Sequence, residues 1–214
     1  MTTEFIAVRH GETDENLAAI LQGQSDTKLN ALGLRQAECV AERLRHEKID
    51  RIFSSDLSRA MVTAQAIAKY HPGVPVVPLR VLREWDLGVL QGGKWTDLKL
   101  NYPDVAAAID SGDDQVKIPG GESRADLRQR TADCLDELAD RYEGQRLLLV
   151  SHGGTIKAMF QHVVGPTLSD YRRSPMYGNT GVSSFRRVDG FWQLISWNDT
   201  SHLSRIGENE SVTY

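Results

Sequence analysis

Two apolar runs in this chain end the same way, in a histidine followed by glycine. Phe5-Ile6-Ala7-Val8 leads into Arg9-His10-Gly11, and Leu147-Leu148-Leu149-Val150 leads into Ser151-His152-Gly153-Gly154. An uninterrupted apolar run of this kind suits a strand buried on both faces of a parallel sheet. Polar groups directly after such a strand stand at the sheet's carboxyl edge, where open α/β folds form their ligand crevice. Arg9 and His10 are thus expected on the floor of a pocket, with Gly11 letting the backbone turn and approach a ligand closely. A single strand-end histidine is ordinary; two with glycines behind them point to chemistry rather than packing. Paired histidines beside a guanidinium suit phosphoryl transfer, because a neutral imidazole can attack phosphorus while an arginine fork holds the phosphoryl oxygens.

Local patterns predict the elements that position these groups. Asp14-Glu15-Asn16 begins a short helix, and Gln22-Gly23-Gln24-Ser25-Asp26 is a turn-rich loop able to overhang the pocket. Asn30 is an N-cap for a helix running through Arg45, with Leu34, Ala37, Val40 or Ala41, and Leu44 on its apolar face. Arg51 to Ser54 forms a strand. Ser58 reads as the cap of a helix from Ala60 to Tyr70 that buries Met61, Ala64, Ile67 and Ala68. Arg59, at that helix's start, opposes the macrodipole and so is expected to have another task. Prolines 72, 75 and 78 bracket an edge strand at Val76-Val77. One or two helices occupy Lys94 to Asp110, broken at Tyr102-Pro103. Ser123 caps a helix to about Tyr142 that buries Leu127, Thr131, Cys134, Leu135 and Leu138. After a strand from Arg146 to Val150, a helix from Thr155 to Val164 points its free N–H groups at any anion in the crevice. A strand beginning at Asn179 turns at Asp189-Gly190 and returns through Trp197, with Trp192 and Trp197 packing. The tail from Ser204 is polar.

Beyond Arg9-His10-Gly11 and His152-Gly153, three further segments fall in a telling order. They are Leu29-Asn30-Ala31-Leu32-Gly33-Leu34-Arg35-Gln36-Ala37, the run Ser54 to Ala64 containing Ser-x-x-x-Arg-Ala-x-x-Thr-Ala, and Leu82-Arg83-Glu84-Trp85. With them the chain, from about Phe5 to Val188, resembles the histidine phosphatase superfamily, also called the phosphoglycerate mutase-like family. The resemblance implies a three-layer α/β/α sandwich with a mostly parallel central sheet. It implies one domain over 1–214, with a lid or substrate-selecting insertion around 94–122. It implies catalysis by His10, His152, Arg9, Arg59 and Glu84, with phosphate or substrate contacts from Arg9, Asn16, Gln22, Gly23, Arg59 and Gly153. Cations around His10 keep its lone pair available, and a carboxyl group, assigned to Glu84 over Asp86 by the resemblance, supplies and recovers a proton. The compact interval between Glu84 and His152 resembles the phosphatases. A phosphoglycerate mutase is the alternative, with Lys94, Lys99 or Lys117 as carboxylate binders; a non-catalytic phospho-ligand binder and a phosphoprotein phosphatase are further ones.

Composition narrows the remaining classes. The 214 residues carry 25 basic and 29 acidic side chains, a net charge of −4, which argues against nucleic-acid binding. A phosphorylated metabolite must therefore be met by a local basic island. No His-x-x-x-His, Cys-x-x-Cys or P-loop spacing occurs, and the resemblance implies neither metal nor cofactor. Cys39 and Cys134 fall in helical patterns and read as packed thiols of a cytoplasmic protein. The chain has no membrane-length apolar run, and Met1-Thr2-Thr3 leads straight into the first strand, without room for a signal peptide.

Overall fold

The computed structural model describes residues 1–165 and 177–206. Its strands are β1 (Thr2–Arg9), β2 (Arg51–Ser54), β3 (Val76–Pro78), β4 (Arg146–Ser151), β5 (Val182–Val188) and β6 (Phe191–Asp199). The described helices are α1 (Asp14–Leu17), α2 (Ala31–Leu44), α3 (Ser58–Ala68), α4 (Trp95–Asn101), α5 (Pro103–Ser111), α6 (Arg124–Arg141) and α7 (Gly153–Val164). The sheet order is β3-β2-β4-β1-β5-β6. The first four strands in that order run parallel, and the β5–β6 hairpin is added antiparallel. This is the expected α/β/α sandwich with a mostly parallel sheet.

Strand alternation divides the core. Phe5 and Ala7 of β1, with Leu147 and Leu149 of β4, pack with Cys134, Leu135 and Leu138 of α6 and Ile156 and Met159 of α7. Ile6 and Val8, with Leu148 and Val150, face Ala37, Val40 and Ala41 of α2 and Ala60, Ala64 and Ile67 of α3. Successive side chains on a strand point to opposite faces, so both central strands are buried on both sides, as their unbroken apolar runs require. A third cluster joins Trp85, Leu87 and Leu90 to α4 and α5 and reaches Leu127 and Ala158. In β1–β4 register Arg9 lies beside Ser151, and Ser54 of β2 pairs with Val150. The loops after β1, β2 and β4 therefore leave the same edge.

Several local expectations change. Leu34 is 49% exposed, and Gly33 takes the inward position of that turn. There a Cβ on either Gly11 or Gly33 would overlap the other segment's backbone. Gly11 thus serves close packing against α2. Helix α3 begins at Ser58, with Leu57 as its N-cap and no cap from its own side chain. Instead the Asp26 carboxylate accepts both the Ser58 N–H, at 2.7 Å, and its hydroxyl, at 2.8 Å. A distant carboxylate thus does what a serine cap was expected to do. The buried residues of α3 are Arg59, Ala60, Thr63, Ala64, Ala66 and Ile67, whereas Met61 and Ala68 are only half-buried. Ser201–Ile206 forms a 3-10 helix, and the rest of the polar tail lies outside the described residues. Asn179 and Thr180 form a turn before β5, with Thr180 at φ 52°, rather than its first residues.

Candidate active site

His10 stands at the carboxyl end of β1, 3% exposed. Its Nδ1 lies 2.7 Å from the Gly11 carbonyl oxygen. A carbonyl only accepts, so Nδ1 carries the proton and Nε2 keeps its lone pair. Burial first, then the charges of Arg59 and Arg9, hold His10 well below the usual imidazole range. The sequence attributed this to the cations; removal from water acts more strongly.

Arg59, 1% exposed, stands in the first turn of α3. Its Nη1 donates to the Ser25 carbonyl (2.7 Å) and Thr27 Oγ1 (3.2 Å), and its Nη2 to the Gly23 carbonyl (2.8 Å). The loop that was expected to overhang the pocket is therefore anchored to this arginine. Gly23 sits at φ 50°, and a Cβ there would overlap the Gln91 side chain. Gln22 is tied to the same loop by the Thr27 hydroxyl. Burial lowers the Arg59 guanidinium to about 10, which leaves it charged at neutral pH. Arg9 Nη1 donates to the Tyr177 carbonyl oxygen at 2.6 Å.

His152 is the N-cap residue of α7 and is fully buried, with its ring centroid 5.1 Å from that of His10. Its Nε2 is 2.8 Å from Ser55 Oγ. That oxygen accepts the Leu57 N–H at 3.3 Å and has one proton of its own to give, for which His152 Nε2 is the acceptor at 2.8 Å. Nδ1 of His152 then holds the ring proton, and among the described residues it has no partner. Burial, followed by the charge of Arg59, also holds His152 well below its ordinary value.

Glu84 reaches the pocket from the loop after β3. Its Oε1 accepts the N–H groups of Trp85 (2.8 Å) and Thr155 (3.2 Å), and its Oε2 that of Gly154 (3.0 Å). The N–H groups of α7 expected to meet a bound anion thus hold an internal carboxylate. Gly154 permits this, because a Cβ would overlap Oε1. The Glu84 backbone carbonyl is fixed by Arg130 Nη2 at 2.9 Å and Gln24 Nε2 at 3.2 Å. Asp86 instead accepts the Gly88 N–H at 3.0 Å, which leaves Glu84 as the carboxylate of the site.

Asn16 Oδ1 accepts from the N–H and hydroxyl of Thr13 and from Asn179 Nδ2. Those three donors leave its amide nitrogen as the group available to an acceptor. A cavity of about 170 Å3 collects Arg9, His10, Asn16, Gln22, Gly23, Arg59, Glu84 and Gly153. His152 adjoins it through His10.

A family model described as the histidine phosphatase superfamily (branch 1) matches residues 5–200. The chain belongs to the histidine phosphatase superfamily. It is 37% identical over 207 residues to a metal-independent phosphoserine phosphatase of Arabidopsis thaliana, covering 96% of this chain and 85% of that one. It is 36% identical over 208 residues to a probable phosphoglycerate mutase, GpmB, of Proteus mirabilis, covering 95% and 96%. Among solved structures, a phosphoserine phosphatase variant of Entamoeba histolytica in complex with phosphoserine superposes with a TM-score of 0.85. That pair shares 32% identity, over 94% of this chain and 99% of the other.

In this histidine phosphatase every site residue named from sequence lies in or against one pocket. The remaining wall was not foreseen. Ile20, Leu21, Trp85, Leu87 and Trp95 supply apolar surface, Tyr177 one side, and Lys157 a further cation. The lysines suggested from sequence lie elsewhere: Lys94 is exposed, Lys99 pairs with Asp110 at 3.0 Å, and Lys117 with Asp126 at 3.2 Å. Lys157 carried a legible signal, since it lies four residues after Gly153 on α7, one turn along the same face. Ser55 carried none, because its role depends on β2 and β4 being neighbours. Among the described residues no group of three or more His, Cys, Asp or Glu side chains is placed to hold a metal ion. Likewise, no described helix is long and apolar enough to cross a membrane.

Proposed function

We infer that this histidine phosphatase hydrolyses small phosphate monoesters without a metal ion, through a phosphohistidine on His10. The observation that carries this is the Nδ1–H of His10 engaged with the Gly11 carbonyl at 2.7 Å, which leaves a nucleophilic Nε2 beside two buried arginines. In the first step the Nε2 lone pair forms the N–P bond as the ester P–O bond breaks. For this step Glu84 first takes up a proton from solvent, and its carboxyl gives that proton to the leaving alkoxide. In the second step water attacks phosphorus, the N–P bond breaks, and Glu84 recovers a proton from that water. Arg9 and Arg59 hold the phosphoryl oxygens and offset their charge in both transition states, with the Nδ1–H of His152 and the amide of Asn16 as further donors. Gln22, Gly23 and Gly153 shape the pocket around the phosphoryl group.

The substrate is a small phosphorylated metabolite. The cavity lies below the ~300–1,000 Å3 of pockets for drug-sized ligands, which disfavours a phosphoprotein. Residues 1–214 are taken as one domain, in which segment 94–122 selects the leaving group through Trp95. Two free thiols, Cys39 and Cys134, suit a cytoplasmic location. Phosphoglycerate mutase remains the second reading, because a relative named as a probable mutase aligns over nearly the whole chain.

Phosphorus NMR with 3-phosphoglycerate and aryl phosphates separates these readings. Inorganic phosphate should accumulate with wild type, and His10→Ala should lower the rate by at least about 10³-fold. Formation of 2-phosphoglycerate without matching inorganic phosphate would instead establish the mutase. Full activity in His10→Ala would exclude both.

A further inference from the structure

Glu84 is held at two ends. Its carboxylate sits on the first turn of α7, and its backbone is gripped from α6 by Arg130. Arg130 Nη1 donates to the Val81 carbonyl at 2.6 Å and Nη2 to the Glu84 carbonyl at 2.9 Å. One planar guanidinium thus fixes both ends of the tight turn that carries the acid. Gln24 Nε2 adds a longer contact to the same Glu84 carbonyl, at 3.2 Å. The guanidinium is oriented in turn by Glu122, whose Oε1 accepts Nε at 2.8 Å and whose Oε2 accepts Nη2 at 3.1 Å. Glu122 also grips the two residues after Glu84. Its Oε2 accepts the Asp86 N–H (3.1 Å), its backbone N–H donates to the Asp86 carbonyl (2.9 Å), and its own carbonyl accepts Trp85 Nε1 (2.9 Å). The fit is close, since a Cβ on Gly121 would overlap the Asp86 carbonyl oxygen.

We propose that Arg130 and Glu122 are a positioning pair for the proton donor, setting the backbone from which the Glu84 carboxyl reaches the leaving-group oxygen. This deepens the phosphatase reading of the same site and rests on it. Neither side chain lines the cavity, so the pair acts through Glu84 and touches no reacting atom. Arg130 leaves α6 between Leu127 and Cys134, on the face that packs inward. Both side chains are largely withdrawn from water, at 19% and 23% exposure. A buried ion pair is a weak source of stability, since apolar side chains of similar volume would join α6 to this loop as well. Those side chains could not offer two carbonyls a pair of donors at fixed spacing. Proton transfer needs the carboxyl within hydrogen-bond reach of the ester oxygen. The Gly154 and Thr155 N–H groups hold it at 3.0 and 3.2 Å. A shift of the Glu84 backbone by about 1 Å would break those contacts and cost on the order of 10²-fold in rate.

The test measures kcat and KM of wild type, Arg130→Met, Arg130→Lys and Glu122→Ala on two esters. One is 3-phosphoglycerate, an alkyl phosphate; the other is p-nitrophenyl phosphate, whose leaving group needs little protonation. Arg130→Met should lower kcat on 3-phosphoglycerate by about 10²-fold with little change in KM. On p-nitrophenyl phosphate the loss should be no more than about threefold. Arg130→Lys keeps the charge without the fork and should recover only part of the rate. Glu122→Ala should show the same selectivity with a smaller loss. In a Glu84→Gln background Arg130→Met should add nothing on 3-phosphoglycerate, because the group it positions no longer donates a proton. Equal losses on both esters, or a loss that adds to that of Glu84→Gln, would mark a merely structural role and overturn the assignment. A second readout needs no turnover and uses Arg130→Lys, so it stands even where Arg130→Met does not fold. The Gly154 and Thr155 amide signals in ¹⁵N–¹H spectra should move toward their positions in Glu84→Ala, and unmoved signals would equally overturn the pair. Turnover of neither ester by wild type would sink the phosphatase reading, while these amide signals would still decide whether Arg130 positions Glu84.

Discussion

At the scale of single residues, the site depends on which nitrogen of each histidine carries the proton. The Gly11 carbonyl determines this for His10 and Ser55 for His152, through contacts of 2.7 and 2.8 Å. The two rings are oriented oppositely as a result: His10 presents an acceptor and His152 a donor. Ser55 touches no reacting atom and acts by positioning His152. Ser55→Ala removes the hydroxyl proton given to Nε2, so the ring can place its own proton there and lose the Nδ1 donor. The expected loss in kcat/KM is about tenfold, the size of one buried hydrogen bond, and Ser55→Thr should restore most of it. Steady-state kinetics of both variants on one aryl phosphate checks this; an Ala variant as active as wild type would remove Ser55 from the mechanism.

At the scale of elements, the first turn of α7 is the decisive piece. Its N–H groups hold Glu84, and the absence of a Cβ at Gly154 is what lets the carboxylate dock. Alanine favours a helix over glycine by roughly 1 kcal/mol, so Gly154→Ala should leave α7 intact while displacing Glu84. General acid catalysis contributes about 10²–10⁴-fold, chiefly for leaving groups that need a proton. Gly154→Ala is therefore expected to slow alkyl phosphates by at least about 10² while slowing p-nitrophenyl phosphate much less, and Glu84→Gln should reproduce that pattern. Equal losses on both ester types would count against Glu84 as the proton donor.

At the scale of the whole molecule, the basic site is enclosed in an acidic chain, and its histidines are kept neutral inside the fold. Burial, ahead of neighbouring charges, depresses His10 and His152, and brings His202 to about 4. In the unfolded chain each regains a value of about 6.5. Below that pH the unfolded state binds protons that the folded state refuses, so stability falls on acidification, by up to about 1.4 kcal/mol per pH unit for each such histidine. Asp199, lowered to about 2 chiefly by its hydrogen bond from Arg43, contributes stability that is lost only as pH falls further, from about 4 through its folded value. Urea unfolding at pH 7.5, 6.5 and 5.5 should therefore show a loss that begins near pH 6.5. A midpoint unchanged down to pH 5 would show these histidines protonating freely in the native protein.

What could be read without coordinates was whatever repeats along the chain or ends an element. Unbroken apolar runs and 3.6-residue apolar patterns report burial directly, so β1, β4 and α6 were legible. The Asn30 and Ser123 caps were legible too, since each satisfies N–H groups three residues away. Arg9, His10 and His152 were visible because strand ends in a parallel sheet converge on one edge. The tertiary structure alone decided where partners come from distant segments. Asp26 replaced Ser58 as the cap of α3, and Glu84 took the N–H groups of α7. Gly11 proved to pack against Gly33, and Lys157 rather than Lys94, Lys99 or Lys117 entered the pocket. Periodicity encodes which face of an element is buried. It does not encode which element lies opposite, and hydrogen bonds, charge pairs and close backbone approaches are properties of that juxtaposition.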